Sequence, residues 1–243
     1  MSYDFRKQPS IIRSRIIHSR IPRRFRGTEL SDLDTYEGET RVKVEAWLEK
    51  MLTGKIVVAD GELLTCGKGM LLAGPPGSGK SFIASVAAQT VIRTMPEILW
   101  REPWLRTADV LPSAFPHPVM YFTYPEILAT IKRGWDRDLE DKDRGLMDCV
   151  FGHGDQEHRV RLLVIDDLGK EYKSDWSAGT FDHLLRERFD AGLPTIVTTN
   201  VPQKDWATAY SPAMASFAHD AFYSVPLVYG ETGDRRKRRR ATV

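Results

Sequence analysis

Gly74-Pro75-Pro76-Gly77-Ser78-Gly79-Lys80-Ser81 stands between the apolar run Lys68 to Ala73 (KGMLLA) and a helical pattern from Ser81 to Ile92. The run before it is short, apolar and closed by glycine and proline, as in a strand buried on both faces. The octet satisfies G-x-x-x-x-G-K-[ST], and a strand before with a helix behind is the context that this phosphate loop requires. Its glycines let successive backbone N–H groups turn inward around phosphates, and the helix N-terminus adds a positive dipole end. Lys80 reaches the β and γ phosphates and the Ser81 hydroxyl takes a magnesium position. Phe82, next in the chain, joins the octet in the expected nucleotide-binding set.

Downstream, Leu162-Leu163-Val164-Ile165-Asp166-Asp167 is an apolar strand that delivers two adjacent carboxylates at its C-terminal end, where ligands sit in open α/β sheets. Side chains alternate along a strand, so the two point in different directions and take different tasks. Asp166 suits the magnesium shell through water, and Asp167 suits polarisation of the attacking water, with Glu171 as the substitute base. Thr195 to Thr199 (TIVTT) is a further buried strand closed by Asn200, which is placed to orient that water or contact the γ phosphate. With Val119 to Thr123 as another strand, and helices over Gly38 to Gly54, Glu126 to Arg133 and Ser177 to Ala191, strands alternate with helices. The expected fold is α/β, a parallel sheet covered by helices on both faces.

The remaining segments are less regular. Residues 93 to 118 are rich in proline, with Trp100, Trp104 and Phe115 among arginines, and read as an irregular insertion. Asp136 to His158 reads as a charged, glycine-containing connection. Near the N-terminus, Ile11, Ile12, Ile16 and Ile17 fit one apolar helical stripe with arginines opposite, suited to docking on a partner. Trp100, Trp104, Lys132, Arg133 and Trp135 interleave aromatic and basic side chains, which fits either packing of the insertion or stacking of single-stranded bases.

At 243 residues the chain fits one α/β domain with short extensions. No apolar run approaches the roughly eighteen residues of a membrane span, and there is no apolar signal-peptide core, so the expected location is cytoplasmic with no membrane partner. Cys66 and Cys149, without a paired C-x-x-C, fit reduced apolar positions rather than a zinc site. The net charge of +2 conceals an uneven distribution: residues 1–26 hold eight basic side chains against Asp4, and 235–240 are six basic residues in a row, leaving 21 basic and 32 acidic residues elsewhere. Basic ends on an acidic body point to a polyanion such as nucleic acid, or to an acidic protein face.

The phosphate loop, the segment Leu162 to Glu171 (LLVIDDLGKE) and the segment Leu193 to Asn200 (LPTIVTTN) together resemble the AAA+ ATPases of the DnaC and IstB group. The opening Ile21-Pro22-Arg23-Arg24-Phe25 is similar to the segment that lines the adenine pocket in that group. The resemblance covers about residues 21–235, dense at the motifs and poor over 93–118. It implies a P-loop AAA+ core at 21–234 with little or no C-terminal lid domain, a basic N-terminal extension at 1–20 and a basic tail at 235–243. The octet becomes the Walker A motif, Asp166 and Asp167 the Walker B pair, and Asn200 the sensor 1 residue. Gly233-Asp234-Arg235 resembles the sensor 2 segment, with Arg235 or Arg236 reaching the γ phosphate. Group members carry an arginine finger shortly after sensor 1, whereas 201–233 contains no arginine; Arg186, Arg188 or the C-terminal arginines are the substitutes.

What the resemblance implies about function is a helicase loader that uses ATP and magnesium, acts on a DnaB-like replicative helicase and single-stranded DNA in a bacterium or phage-infected host, and self-associates through its ATPase interface. A transposition ATPase of the IstB kind, a nucleotide switch without hydrolysis and a P-loop small-molecule kinase are the alternatives. The tandem carboxylates weigh against the kinase, which needs no water-activating pair there.

Overall fold

The apolar runs assemble into one parallel sheet. The computed structural model describes residues 8–36, 39–53, 67–94, 118–134, 141–153, 159–172 and 174–228. In it β1 (Gly69–Ala73), β2 (Val119–Thr123), β3 (Leu162–Leu168), β4 (Thr195–Thr199) and β5 (Phe222–Pro226) lie in the order β2-β3-β4-β1-β5. Every neighbouring pair is parallel, so all the C-terminal strand ends share one edge, and β1 delivers the glycine loop to it.

Helices α1 (Ser10–His18), α2 (Thr40–Thr53) and α3 (Lys80–Thr94) cover one face. The other carries α4 (Tyr124–Arg133), α5 (Asp141–Phe151), α6 (Asp175–Asp190), α7 (Trp206–Ala209) and α8 (Pro212–Ala221). Met70, Leu72, Tyr121, Val164 and Ile196 face α3, and the alternate residues Leu71, Phe122, Ile165 and Val197 face the second layer. Burial on both sides explains why these strands read as unbroken apolar runs. Capping fixes the helix starts: Thr123 and Glu126 reciprocate across the first turn of α4, and Ser174 and Ser211 accept the N–H groups of Ser177 and Met214 at 3.1 and 3.0 Å.

Two expectations need correction. The segment 136–158, read as a connection, contains α5; Met147, Cys149 and Val150 bury one side of it, a periodicity hidden in sequence by the charges around Gly145. The isoleucine stripe is split. Ile16 is fully buried in the sheet's core, while Ile11 and Ile17 face outward and Arg15 is buried with Ile16. Their spacing of four to five residues drifts around a helix of 3.6 per turn, so no single face holds all four. In α2, Val44, Trp47 and Leu48 are buried whereas Val42 and Leu52 are exposed.

Cys149 is buried and in no disulfide, as expected of a small apolar position. Among the described residues no helix is long and apolar enough to cross a membrane. Cys66, Trp100, Trp104, Phe115, Trp135, most of the segment 93–118, the segment 233–236 with Arg235, and the basic run 235–240 lie outside the described residues.

The second layer is fastened by Arg188. This fully buried side chain of α6 donates through Nε to Thr195 Oγ1 at 2.9 Å, through Nη1 to the carbonyls of Val150 and Val160 at 2.6 and 2.9 Å, and through Nη2 to that of Pro194 at 3.1 Å. Burial pushes its pKa down to about 9, which leaves the guanidinium charged at neutral pH. One planar fork thereby joins the end of α5 to the entries of β3 and β4. Arg188→Ala is expected to lower unfolding free energy by about 3–5 kcal/mol, because three carbonyls lose their donor in a dry interior. Arg188→Lys should recover little of this, since an ammonium cannot span the acceptors. Urea unfolding of both variants checks it.

Candidate functional site

The loop after β1 wraps the first turn of α3. Gly77 and Gly79 have φ of 86° and 101°, a region open to glycine, and a Cβ on Gly79 would run into the Tyr36 hydroxyl. Lys80 is buried, and its ammonium donates to the carbonyls of Gly74 and Pro75 at 2.8 and 2.9 Å. The Ser78 hydroxyl is buried without a hydrogen-bond partner. A glycine cradle, an ammonium folded into it and an orphaned hydroxyl form a donor set that fits phosphate oxygens.

Phe82 packs into an aromatic group. Tyr36 stacks on it with ring centres 6.1 Å apart and planes 10° from parallel, and Phe25 meets it edge-on at 6.0 Å. The opening segment is anchored here by Gln89 of α3, whose amide nitrogen donates to Phe25 O at 2.8 Å and to Thr28 Oγ1 at 2.7 Å, while its oxygen accepts from Gly27 N at 2.7 Å. The Ile21 to Phe25 segment and Phe82, far apart in sequence, are thus brought together beside the glycine loop.

At the C-terminal end of β3 the two carboxylates part, though by a different route from simple alternation. The ladder to β4 pairs Ile165 with Val197 and then Leu168 with Thr199, so β3 carries one extra residue. Asp167 sits in that bulge with φ 62°, the left-handed region that Asp tolerates better than most side chains. The bulge returns Leu168 to the second-layer core and releases Asp167 to the edge. Asp166 is buried and faces α3, where its Oδ1 accepts the Ser81 hydroxyl at 2.8 Å and the Thr198 hydroxyl at 2.5 Å. Thr198 Oγ1 also accepts the Asp167 N–H at 2.9 Å, so one side chain of β4 fixes both acids. Asp167 is half-buried and paired with the Lys170 ammonium at 2.6 Å.

Glu171 behaves differently. Its carboxylate turns back onto Gly169 N at 2.7 Å. Tyr124, buried, and Tyr210, half-buried, lie close enough that, after burial itself, Glu171 is the next cause raising both their pKa values. Both pack with the second layer, so Glu171 lies near that layer's tyrosines, whereas Asp166 faces α3. Asn200 is exposed at the end of β4. Of the substitutes for an arginine finger, Arg188 is corrected by its burial and four internal bonds. Arg186 remains on the outer side of α6, paired with Asp182 and over the Phe217 ring at 4.4 Å.

Among the described residues no group of three or more His, Cys, Asp or Glu forms a metal cage. The pairing of Ser81 with Asp166 fits magnesium all the same, since that ion keeps waters and takes its other oxygens from phosphates. Sequence inspection missed Thr198, Gln89, Tyr36 and Lys170. Thr198 alone had a usable signal, since strand alternation turns it to the α3 side when Val197 faces the other.

Comparison with protein-family models returns no match, and none is found among curated proteins. Solved structures do match in fold. The crystal structure of DnaI is 19% identical, covering 85% of this chain and 94% of that one, with a TM-score of 0.59. The DnaC helicase loader is 18% identical over 85% of this chain and 99% of its own, with a TM-score of 0.55. The replication initiator DnaA, bound to AMPPCP and single-stranded DNA, is 12% identical over 91% of this chain and 55% of its own, with a TM-score of 0.57. The chain shares its fold with DnaI, the DnaC helicase loader and the replication initiator DnaA.

Thr198→Val removes the hydroxyl shared by the two acids while keeping shape. A loss of about 1–3 kcal/mol in unfolding free energy is expected, because a buried carboxylate and the Asp167 N–H both lose a partner. A denaturant titration of the nucleotide-free protein measures it.

Proposed function

We propose that this chain is an ATP-hydrolysing helicase loader: it binds ATP at the loop Gly74 to Ser81 and acts on a DnaB-like replicative helicase and single-stranded DNA in the bacterial or phage-infected cytoplasm. The observation that carries the reading is the Ser81–Asp166 contact at the head of α3, inside a glycine cradle and on a DnaC-like fold. The donor set of the loop suits a triphosphate, and the aromatic group at Phe82, Tyr36 and Phe25 suits a base beside it.

In this reading Lys80 exchanges its two carbonyl contacts for phosphate oxygens, and the Ser78 hydroxyl gains the acceptor that it lacks. Ser81 supplies an oxygen to magnesium, and Asp166 holds water of the metal's shell. Magnesium, when bound, neutralises charge that develops on the phosphates. Asp167 takes the proton of the attacking water, and its fixed position in the bulge spares reorganisation during the reaction. Glu171, occupied with Gly169 N and turned to the second layer, serves the loop's shape instead. Asn200 at the strand end orients the water, and Arg235, in the sensor 2 segment, contacts the γ phosphate. Self-association through the ATPase face would draw on Arg186 or the C-terminal arginines for the neighbour's site.

The loader assignment over a transposition ATPase is supported by the neighbours DnaI and DnaC and by a primosome component from Streptococcus pyogenes at 17% identity. DNA as a partner is supported by the basic ends on an acidic body. ATP turnover measured alone, with single-stranded DNA, and with DNA plus helicase tests the whole. Stimulation by both is the expected result, and turnover indifferent to either partner would remove the loader reading.

Two substitutions test the chemistry. Lys80→Ala should weaken ATP binding by about 2–3 kcal/mol, roughly 30- to 150-fold in Kd; unchanged affinity in a nucleotide titration would sink the phosphate-loop assignment. Asp167→Asn should keep nucleotide affinity and slow hydrolysis by roughly 10²–10⁴, because the amide cannot accept a proton. Turnover within a few fold of the parent would move the base elsewhere.

A further inference from the structure

One buried polar group next to the acids has no part in the chemistry above. Tyr121 lies in the middle of β2, paired with Val164, and two residues on Thr123 pairs with Asp166. Paired residues of a parallel ladder share a face, so Tyr121 and Asp166 both point under α3. The phenol ring is packed in the first-layer core with only 3% of the residue exposed.

Its hydroxyl is buried without a hydrogen-bond partner. Burial first, and then the charge of Asp166 and the phenol's approach to that carboxylate, push its pKa well above the usual phenol range, while its approach to the Ser85 hydroxyl acts in the opposite direction. Ser85 spends its own proton on Ser81 O at 2.7 Å. Both hydroxyls that reach Asp166, from Ser81 and Thr198, end on Oδ1. A phenol hydroxyl that completes no hydrogen bond at its present spacing thus lies within reach of a carboxylate on whose Oδ1 the Ser81 and Thr198 hydroxyls converge. An orphaned hydroxyl in a dry core is a net cost that phenylalanine would avoid at the same volume.

We infer that Tyr121 is a positioning residue for Asp166, its hydroxyl closing onto the carboxylate when nucleotide and magnesium load the site. Fastened through Oδ1 by Ser81 and Thr198, the carboxylate can still turn about its Cβ–Cγ bond. A third donor from beneath stops that turn, so that the same oxygen faces the metal's water shell at each loading. The inference rests on the nucleotide reading above and adds to it a residue outside the Walker motifs.

The test uses the full chain and Tyr121→Phe, with two readouts apart from turnover. Thermal unfolding without ligand should be unchanged or slightly raised, since only an unpaired hydroxyl is removed. Binding of a fluorescent ATP analogue, titrated with Mg2+, should need about tenfold more metal for half-maximal tightening, with affinity in the absence of metal unaltered. A metal curve within twofold of the parent overturns the inference, whether or not the variant unfolds earlier. Should Tyr121→Phe not fold, Tyr121→Leu also lacks the hydroxyl and should show the same displacement. If the parent protein shows no magnesium-dependent binding of the analogue, the nucleotide reading itself fails and the inference goes with it, an outcome distinct from an unshifted variant.

Discussion

A carboxylate taken out of water has to be satisfied by donors, and Asp166 draws three parts of the chain together on that account. Ser81 comes from the first turn of α3, Thr198 from β4, and the aspartate itself from β3. The contact fixes the glycine loop to the sheet edge and decides where β3 departs from regular pairing. It also explains why a threonine is buried at the end of an otherwise aliphatic strand: Thr198 serves Asp166 with its proton and Asp167 with its oxygen.

What sequence can convey follows from how local each interaction is. The five-residue strands at 119–123 and 195–199 were legible because a strand buried on both faces must be apolar throughout, a requirement visible without knowing its neighbours. The glycine loop was legible for the same reason, since its backbone path depends on glycines within it. β5 and α5 were not. Phe222–Pro226 opens directly from α8, and Asp141–Phe151 hides its apolar side among charges, so both depend on surfaces supplied from elsewhere. Ile16 failed as part of a docking stripe for the same reason: its role is set by Ile21, Leu33 and the face of α3, which no local pattern reveals.

The site divides along similar lines. Asp166 and Asp167 were identified as neighbours with separate tasks, and they are separate, yet the cause is an inserted residue and not the alternation of an ordinary strand. Glu171 looked equivalent to them in sequence, two residues beyond Gly169. Its surroundings are set by Tyr124 and Tyr210, which belong to chain segments too remote to be read with it. Arg188 shows the reverse hazard. An arginine that sequence offers to a neighbouring subunit is consumed inside the fold by carbonyls of its own chain.

The bulge also limits how this sequence can diverge. A backbone held at φ 62° admits glycine, asparagine and aspartate far more readily than longer or branched side chains. Among acids, the position therefore selects the shorter one. A glutamate in place of Asp167 would carry up to about 1–2 kcal/mol of backbone strain there, and removing the inserted residue to relieve it would turn Leu168 to the wrong face of the sheet. The identity of the acid and the register of β3 are inherited together, so drift at one is closed off by the other.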